Sequence, residues 1–103
     1  MYRLLQRQEV LYGHYAEAVQ LVDEVNELLR ARGLAEFTPW APTVGKGNEL
    51  VLMSEYPDLA AFQRESEAFY ADAEIMKVWK SGSPLIVQGS VYAEILEPVP
   101  HMA

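Results

Sequence analysis

The stretch Glu49-Leu50-Val51-Leu52-Met53-Ser54-Glu55-Tyr56-Pro57-Asp58-Leu59 decides the fold. Leu50 to Met53 are apolar at consecutive positions, with Leu50 and Leu52 on one side of an extended chain and Val51 and Met53 on the other. A strand apolar on both sides needs cover on both sides. Pro57 and Asp58 then end the strand and open a helix, because an aspartate accepts from the free amides of a first helical turn. In that helix Leu59, Phe62, Ser66, Phe69, Ala73 and Met76 fall on one face out to about Lys80, with Asp72 or its neighbours a candidate break between two helices.

Moving upstream, Gly45-Lys46-Gly47-Asn48 is a turn. The segment before it, Glu36 to Val44, is β-like but carries Pro39 and Pro42, which donate nothing to a ladder and suit an edge or bulged strand. From about His14 to Arg32, Tyr15, Ala18, Val19, Val22, Val25 and Leu29 recur at three- and four-residue spacing, while Glu17, Gln20, Glu24 and Glu27 occupy the opposite side, the pattern of an amphipathic helix. Gly33 stands where a left-handed cap is favoured. Tyr2 to Leu11 forms a first strand that ends near Leu11 or Tyr12, ahead of Gly13. Downstream of the second helix, Ser81-Gly82-Ser83-Pro84 breaks the chain. Leu85-Ile86-Val87 follows, and the last strand lies in Ser90 to Leu96, before Pro98 and Pro100.

Strand, helix, strand, strand, helix, strand is an α+β arrangement of the ferredoxin-like βαββαβ kind, in which helices cover one face of a four-stranded antiparallel sheet. The other face is also apolar, through Val51 and Met53 and through one set of the last strand's alternating residues. A second copy is the simplest cover, which predicts a homodimer with an isologous sheet-to-sheet interface. Residues 1–98 make one domain and 99–103 a C-terminal tail. At 103 residues the chain has no room for a second core, and a domain of this size gains from association.

A net charge of −7, with the eight basic residues scattered, opposes a nucleic-acid surface. With no cysteine there is no disulfide framework, thiolate chemistry or zinc ribbon. No stretch approaches the roughly 18 apolar residues of a bilayer span, and the first residues lack the apolar core of a leader, so no membrane association and a cytoplasmic location are expected. The two histidines, His14 and His101, provide no metal-ligating spacing, so no metal is expected. His101 falls in the tail. Carboxylate pairs such as Asp23/Glu24 and Glu65/Glu67 lie on polar helix faces, where solvation leaves them ordinary surface charge. Gly45-Lys46-Gly47 has a hairpin context rather than that of a phosphate loop.

The opening strand Tyr2-Arg3-Leu4-Leu5-Gln6-Arg7, Gly13 before a long helix, the strand Leu50 to Tyr56, and Asp58-Leu59-Ala60-Ala61-Phe62 starting the second helix together resemble the dimeric α/β-barrel superfamily and, within it, NIPSNAP-like proteins. The resemblance spans nearly the whole chain and implies two such domains packed sheet against sheet. It does not choose an activity. Members of the superfamily include cofactor-independent quinone-forming monooxygenases, haem-degrading enzymes, lactone isomerases and proteins of no known activity. The haem-degrading relatives use a histidine on the second helix as iron ligand. Asp58 to Lys80 contains none, so no haem and no other cofactor is expected.

The oxygenase relatives surround an aromatic substrate with Trp, Tyr and Asn. Here Tyr15, Trp40, Tyr70, Trp79 and Tyr92 are the candidate substrate contacts, in a cleft between helices and sheet, or else they pack a core. Neither Asn26 nor Asn48 matches the arrangement. His14, at the first strand-to-helix junction, is the candidate general base, or else a solvent-facing residue at a helix start. The functional expectation is a small aromatic or apolar metabolite bound between sheet and helices, acted on by a cofactor-free monooxygenase or isomerase, with a non-catalytic stress-type or accessory module as the alternative.

Overall fold

The computed structural model describes residues 1–100, which leaves His101 outside the described residues. Strands β1 (Tyr2–Glu9), β2 (Thr38–Trp40), β3 (Glu49–Tyr56) and β4 (Tyr92–Leu96) form one sheet in the order β2-β3-β1-β4, with every neighbouring pair antiparallel. Helix α1 (Tyr15–Ala31) follows β1, and α2 (Leu59–Ala71), α3 (Ala73–Ser81) and a short 3-10 turn (Ser83–Leu85) lie between β3 and β4. The expected βαββαβ order is present, with the second helix in two pieces.

Strand alternation distributes the side chains. In β1 the even residues Leu4, Gln6, Gln8 and the following Val10 face the helices, in register with Ser54, Leu52 and Leu50 of β3. The helical side of the core is the α1 stripe Ala18, Val22, Val25 and Leu29, spaced by four, three and four residues and buried throughout. Val22, Val25 and Leu29 each contribute about 1.5–3 kcal/mol when fully removed from water. Gly33 adopts φ +69 just past α1, the left-handed conformation that ends a helix and turns the chain back toward the sheet.

The break at Asp72 has a specific cause. Its backbone is extended, and its carboxylate accepts from the Ile75 amide at 2.9 Å, so a single residue closes α2 and caps α3. Arg32, past the end of α1, donates to Asp72 at 2.6 Å and to Glu74 at 2.5 Å, which fastens the start of α3 to α1. The apolar face from Leu59 to Met76 is therefore interrupted at the candidate break, Asp72. Leu59 and Ala73 are exposed, Phe69 is buried, and after the restart Ile75 is the fully buried anchor.

Two strands are shorter than expected. The Glu36 to Val44 segment pairs only at Thr38–Trp40, on the sheet edge, where a Pro39 without an N–H is tolerated. The last strand begins at Tyr92, and the earlier run Leu85-Ile86-Val87 makes its own antiparallel contact with the end of β1. The Val87 amide donates to the Glu9 carbonyl and the Leu11 amide to the Leu85 carbonyl, both at 2.8 Å. Ile86 opposes Val10 and Tyr92 opposes Arg7, so three steps along β1 are matched by six on the other side. The surplus bulges outward at Gln88–Val91, opposite Gln8, with Gly89 at φ +79 and the Ser90 hydroxyl accepting from the Glu9 amide at 3.1 Å.

The face of the sheet away from the helices carries Leu5, Val51, Met53, Trp40, Tyr92 and Leu96 by register. Arg7 lies 3.6 Å from Glu49 and 3.8 Å from Glu94 on that same face, and Arg3 lies 3.8 Å from Glu55. Among the described residues no helix is long and apolar enough to cross a membrane.

The Asp72 carboxyl is held below its ordinary range, first by the Ile75 amide and then by Arg32. A depressed folded-state value gives stability that is present above the unfolded value and lost as pH falls through the folded one. Asp72→Asn keeps a capping oxygen and removes the charge. The variant is expected to melt below the parent at pH 7, with the difference shrinking as pH drops below about 4. Thermal denaturation followed by circular dichroism across pH 3 to 7 checks this, and a gap that widens on acidification contradicts it.

Candidate binding cleft

The helix-facing side of the sheet does not close completely. Between β1 and β3, helices α1 and α3, and the 3-10 turn with the bulge after it lies a cleft of about 960 Å³. That is the size of a small-molecule site. Its walls are Ala18, Leu21 and Val22 from α1, Met76 and Trp79 from α3, and Leu50 and Leu52 from β3. Leu85 to Gly89 and Val91 form the remaining side, so the step in register at Gln8 borders the cleft there.

The polar part of this apolar surface is a pair of glutamines on β1. Gln8 is only 4% exposed. Its amide nitrogen donates to the Leu50 carbonyl at 2.6 Å, and its amide oxygen accepts from Gln6 Nε2 at 3.0 Å. Both residues line the cleft. The titratable groups in the lining are Tyr70 and Lys80, both on exposed residues at its margin. Among the described residues, no group of three or more histidine, aspartate or glutamate side chains comes together to hold a metal.

Trp79 is fixed by its neighbours. Its ring stacks on Phe37 at 5.5 Å and 19° and meets Phe69 edge-on at 5.3 Å and 84°, while Phe37 and Phe69 meet edge-on at 6.1 Å. Phe37 is in turn held by Asn26 of α1, whose side-chain amide donates to the Phe37 carbonyl at 2.7 Å and accepts from the Phe37 amide at 2.8 Å. Asn26 is thus a structural clamp behind the cleft wall.

Of the residues that the sequence puts forward as substrate contacts, Tyr70 and Trp79 line this cleft. Trp40 and Tyr92 do not join them. Trp40 pairs with Val51 and Tyr92 with Arg7, positions that alternate to the outer face, where the two aromatics are 55% and 61% exposed. Tyr15 lies at the start of α1, where its hydroxyl donates to the Glu49 carbonyl at 2.8 Å. Burial raises its phenol above the ordinary range, which keeps that donor protonated. His14 also stands apart from the lining. Its Nδ1 is 3.0 Å from Glu17 Oε1 on a side chain 44% exposed, at the N-terminal end of α1, so the general-base expectation has no substrate-facing geometry behind it.

Sequence reading overlooked Gln6 and Gln8, although a signal was present. In Leu4-Leu5-Gln6-Arg7-Gln8-Glu9-Val10 the two glutamines share their side of the strand with Leu4 and Val10, so two uncharged polar groups sit on the face that meets the core.

A family model described as NIPSNAP matches residues 6–102. An uncharacterized NIPSNAP domain protein from Burkholderia xenovorans superposes with a TM-score of 0.80 at 16% identity, covering 100% of this chain and 99% of that one. A NIPSNAP family protein from Agrobacterium tumefaciens gives 0.76 at 20% identity, covering 96% and 94%. An antibiotic biosynthesis monooxygenase gives 0.72 at 15% identity, covering 97% and 100%. These structures share the fold. No curated protein matches the chain.

Asn26→Ala leaves both polar groups of Phe37 without their partner in a buried setting and is expected to destabilise the fold by about 2–4 kcal/mol. Urea denaturation checks this, and a loss under about 1 kcal/mol contradicts the clamp.

Proposed function

Because the chain belongs to the NIPSNAP family, and because its helices and sheet leave an apolar cleft between them, we propose that it binds a small, largely apolar molecule there and does so as a homodimer joined through the outer face of the sheet. The observation that carries the binding role is the cleft itself, a volume of about 960 Å³ with aliphatic and aromatic walls and a short polar floor. Helix and sheet in a well-packed domain of this size leave few voids larger than a water molecule.

Binding is favoured over turnover. A cofactor-free oxygenase reading, raised by the neighbour described as an antibiotic biosynthesis monooxygenase, needs a proton acceptor beside the substrate. The lining has no carboxylate and no histidine among the described residues, and His14 is outside it. A binding or accessory role requires no such group.

A two-fold pairing through the outer face would cover Leu5, Met53, Trp40, Tyr92 and Leu96 at once, around Val51, which the chain itself already buries. That face carries both charge signs, Arg3 and Arg7 among Glu49, Glu55 and Glu94, so a second copy does not bring a single-sign patch against itself.

For the cleft, titration with the neutral fluorophore N-phenyl-1-naphthylamine is expected to give saturable enhancement, weakened at least about tenfold by Met76→Trp, which fills the space. Val91→Trp, at an exposed lining position, repeats the test where the change at half-buried Met76 disturbs folding. Enhancement unchanged in both variants rules the cleft out. For the dimer, light scattering is expected to give twice the 11.6 kDa chain mass, and Trp40→Glu is expected to give the single-chain mass with unchanged far-ultraviolet dichroism. A monomeric parent removes the interface.

A further inference from the structure

The hydrogen-bond pattern on the cleft floor constrains the ligand more closely than volume does. The Leu50 carbonyl can only accept, so the Gln8 side chain must turn its nitrogen toward it, at 2.6 Å. The second Gln8 N–H reaches back to the Gln6 carbonyl at 3.5 Å. Gln8 Oε1 is thereby aimed at Gln6, which must answer with its own nitrogen, at 3.0 Å. The orientation of both amides is thus dictated from a single backbone carbonyl, and Gln6 Oε1 is the end of the relay. Among the described residues nothing donates to that oxygen.

We infer that the cleft is specific for an uncharged apolar molecule carrying a hydroxyl or N–H donor, which seats on Gln6 Oε1. This rests on the binding role proposed for the cleft. The lack of charge follows from the lining: the floor is two neutral amides among aliphatic side chains, and the one cation, Lys80, belongs to an exposed residue at the end of α3. An anion carried to the floor would lose its hydration without gaining a counter-charge. The chain's net charge of −7 opposes it further. A donor is required because an amide oxygen covered by an apolar ligand exchanges a water hydrogen bond for nothing. Gln8 is the positioning residue, since it never needs to touch the ligand to fix which end of Gln6 faces it.

Four probes on one carbon frame test this: naphthalene, 2-methoxynaphthalene, 2-naphthol and 2-naphthoate, titrated at pH 7 into ¹⁵N-labelled protein. The Trp79 indole and the Leu50 and Leu52 amides report the cleft, and the Gln6 side-chain amide reports the seat. 2-Naphthol is expected to bind about tenfold more tightly than 2-methoxynaphthalene and 2-naphthoate and to shift the Gln6 side-chain resonances. In Gln6→Leu that preference is expected to vanish while naphthalene binding persists. If the four probes bind the cleft equally, or 2-naphthoate binds most tightly through Lys80, the donor-specific inference is overturned and the binding role stands. If no probe moves the cleft resonances, the binding role falls and takes the inference with it. The comparison of probes on the parent protein decides the matter even where Gln6→Leu does not fold.

Discussion

The reciprocal pair of hydrogen bonds between the Asn26 side chain and the Phe37 backbone is the constraint on which the rest is hung. Asn26 belongs to α1 and Phe37 to the segment that leads into β2, so the pair fixes the returning chain against the first helix just ahead of the edge strand. It also orients the Phe37 ring, against which Trp79 of α3 stacks and Phe69 of α2 packs edge-on. One buried amide thereby coordinates three helices and an edge strand, with both backbone groups satisfied where water does not reach them. Arg32 repeats the logic at the protein's surface, tying the end of α1 to the start of α3.

With the helices fixed in this way, the sheet divides the molecule into two environments. On one face the helices meet it along Val22, Val25 and Leu29 but stand away near Gln6 and Gln8, and the cleft results. On the other face, aliphatic and aromatic side chains lie open between ion pairs. Strand β1 contributes to both, because successive residues alternate across it: Gln6 and Gln8 to the cleft, Leu5 and Arg7 to the open face.

The fold was legible because its signals are periodic and local. The two-sided apolar run of β3, the three-four spacing of α1 and the turn residues between them lead directly to βαββαβ, and the family match and structural neighbours agree with it. The restart at Asp72 was visible as a candidate, but its effect on the buried face depends on Arg32, forty residues away in sequence. The site was less legible. Trp40, Tyr92 and Trp79 are all aromatic, and strand register turns the first two away from the helices while Trp79, on α3, stays at the cleft. That register depends on hydrogen bonds between distant strands. Gln6 and Gln8 stand among charged residues in an alternating strand. Their environment is decided by the same pairing.

The step in register opposite Gln8 bears on which insertions and deletions this chain can tolerate. One residue added or removed within β1 would exchange the glutamines for Leu5 and Arg7, delivering a guanidinium to the cleft floor and amides to the open face. An odd change of length can be absorbed only where the ladder is already interrupted. The surplus of three residues between Ile86 and Tyr92 is such a change, since it lets six steps, an even number, pass from a helix-facing position to an outward-facing one. Length variation among homologous chains is therefore expected to collect in the 88–91 bulge and in the hairpin around Gly45–Asn48, and to spare β1.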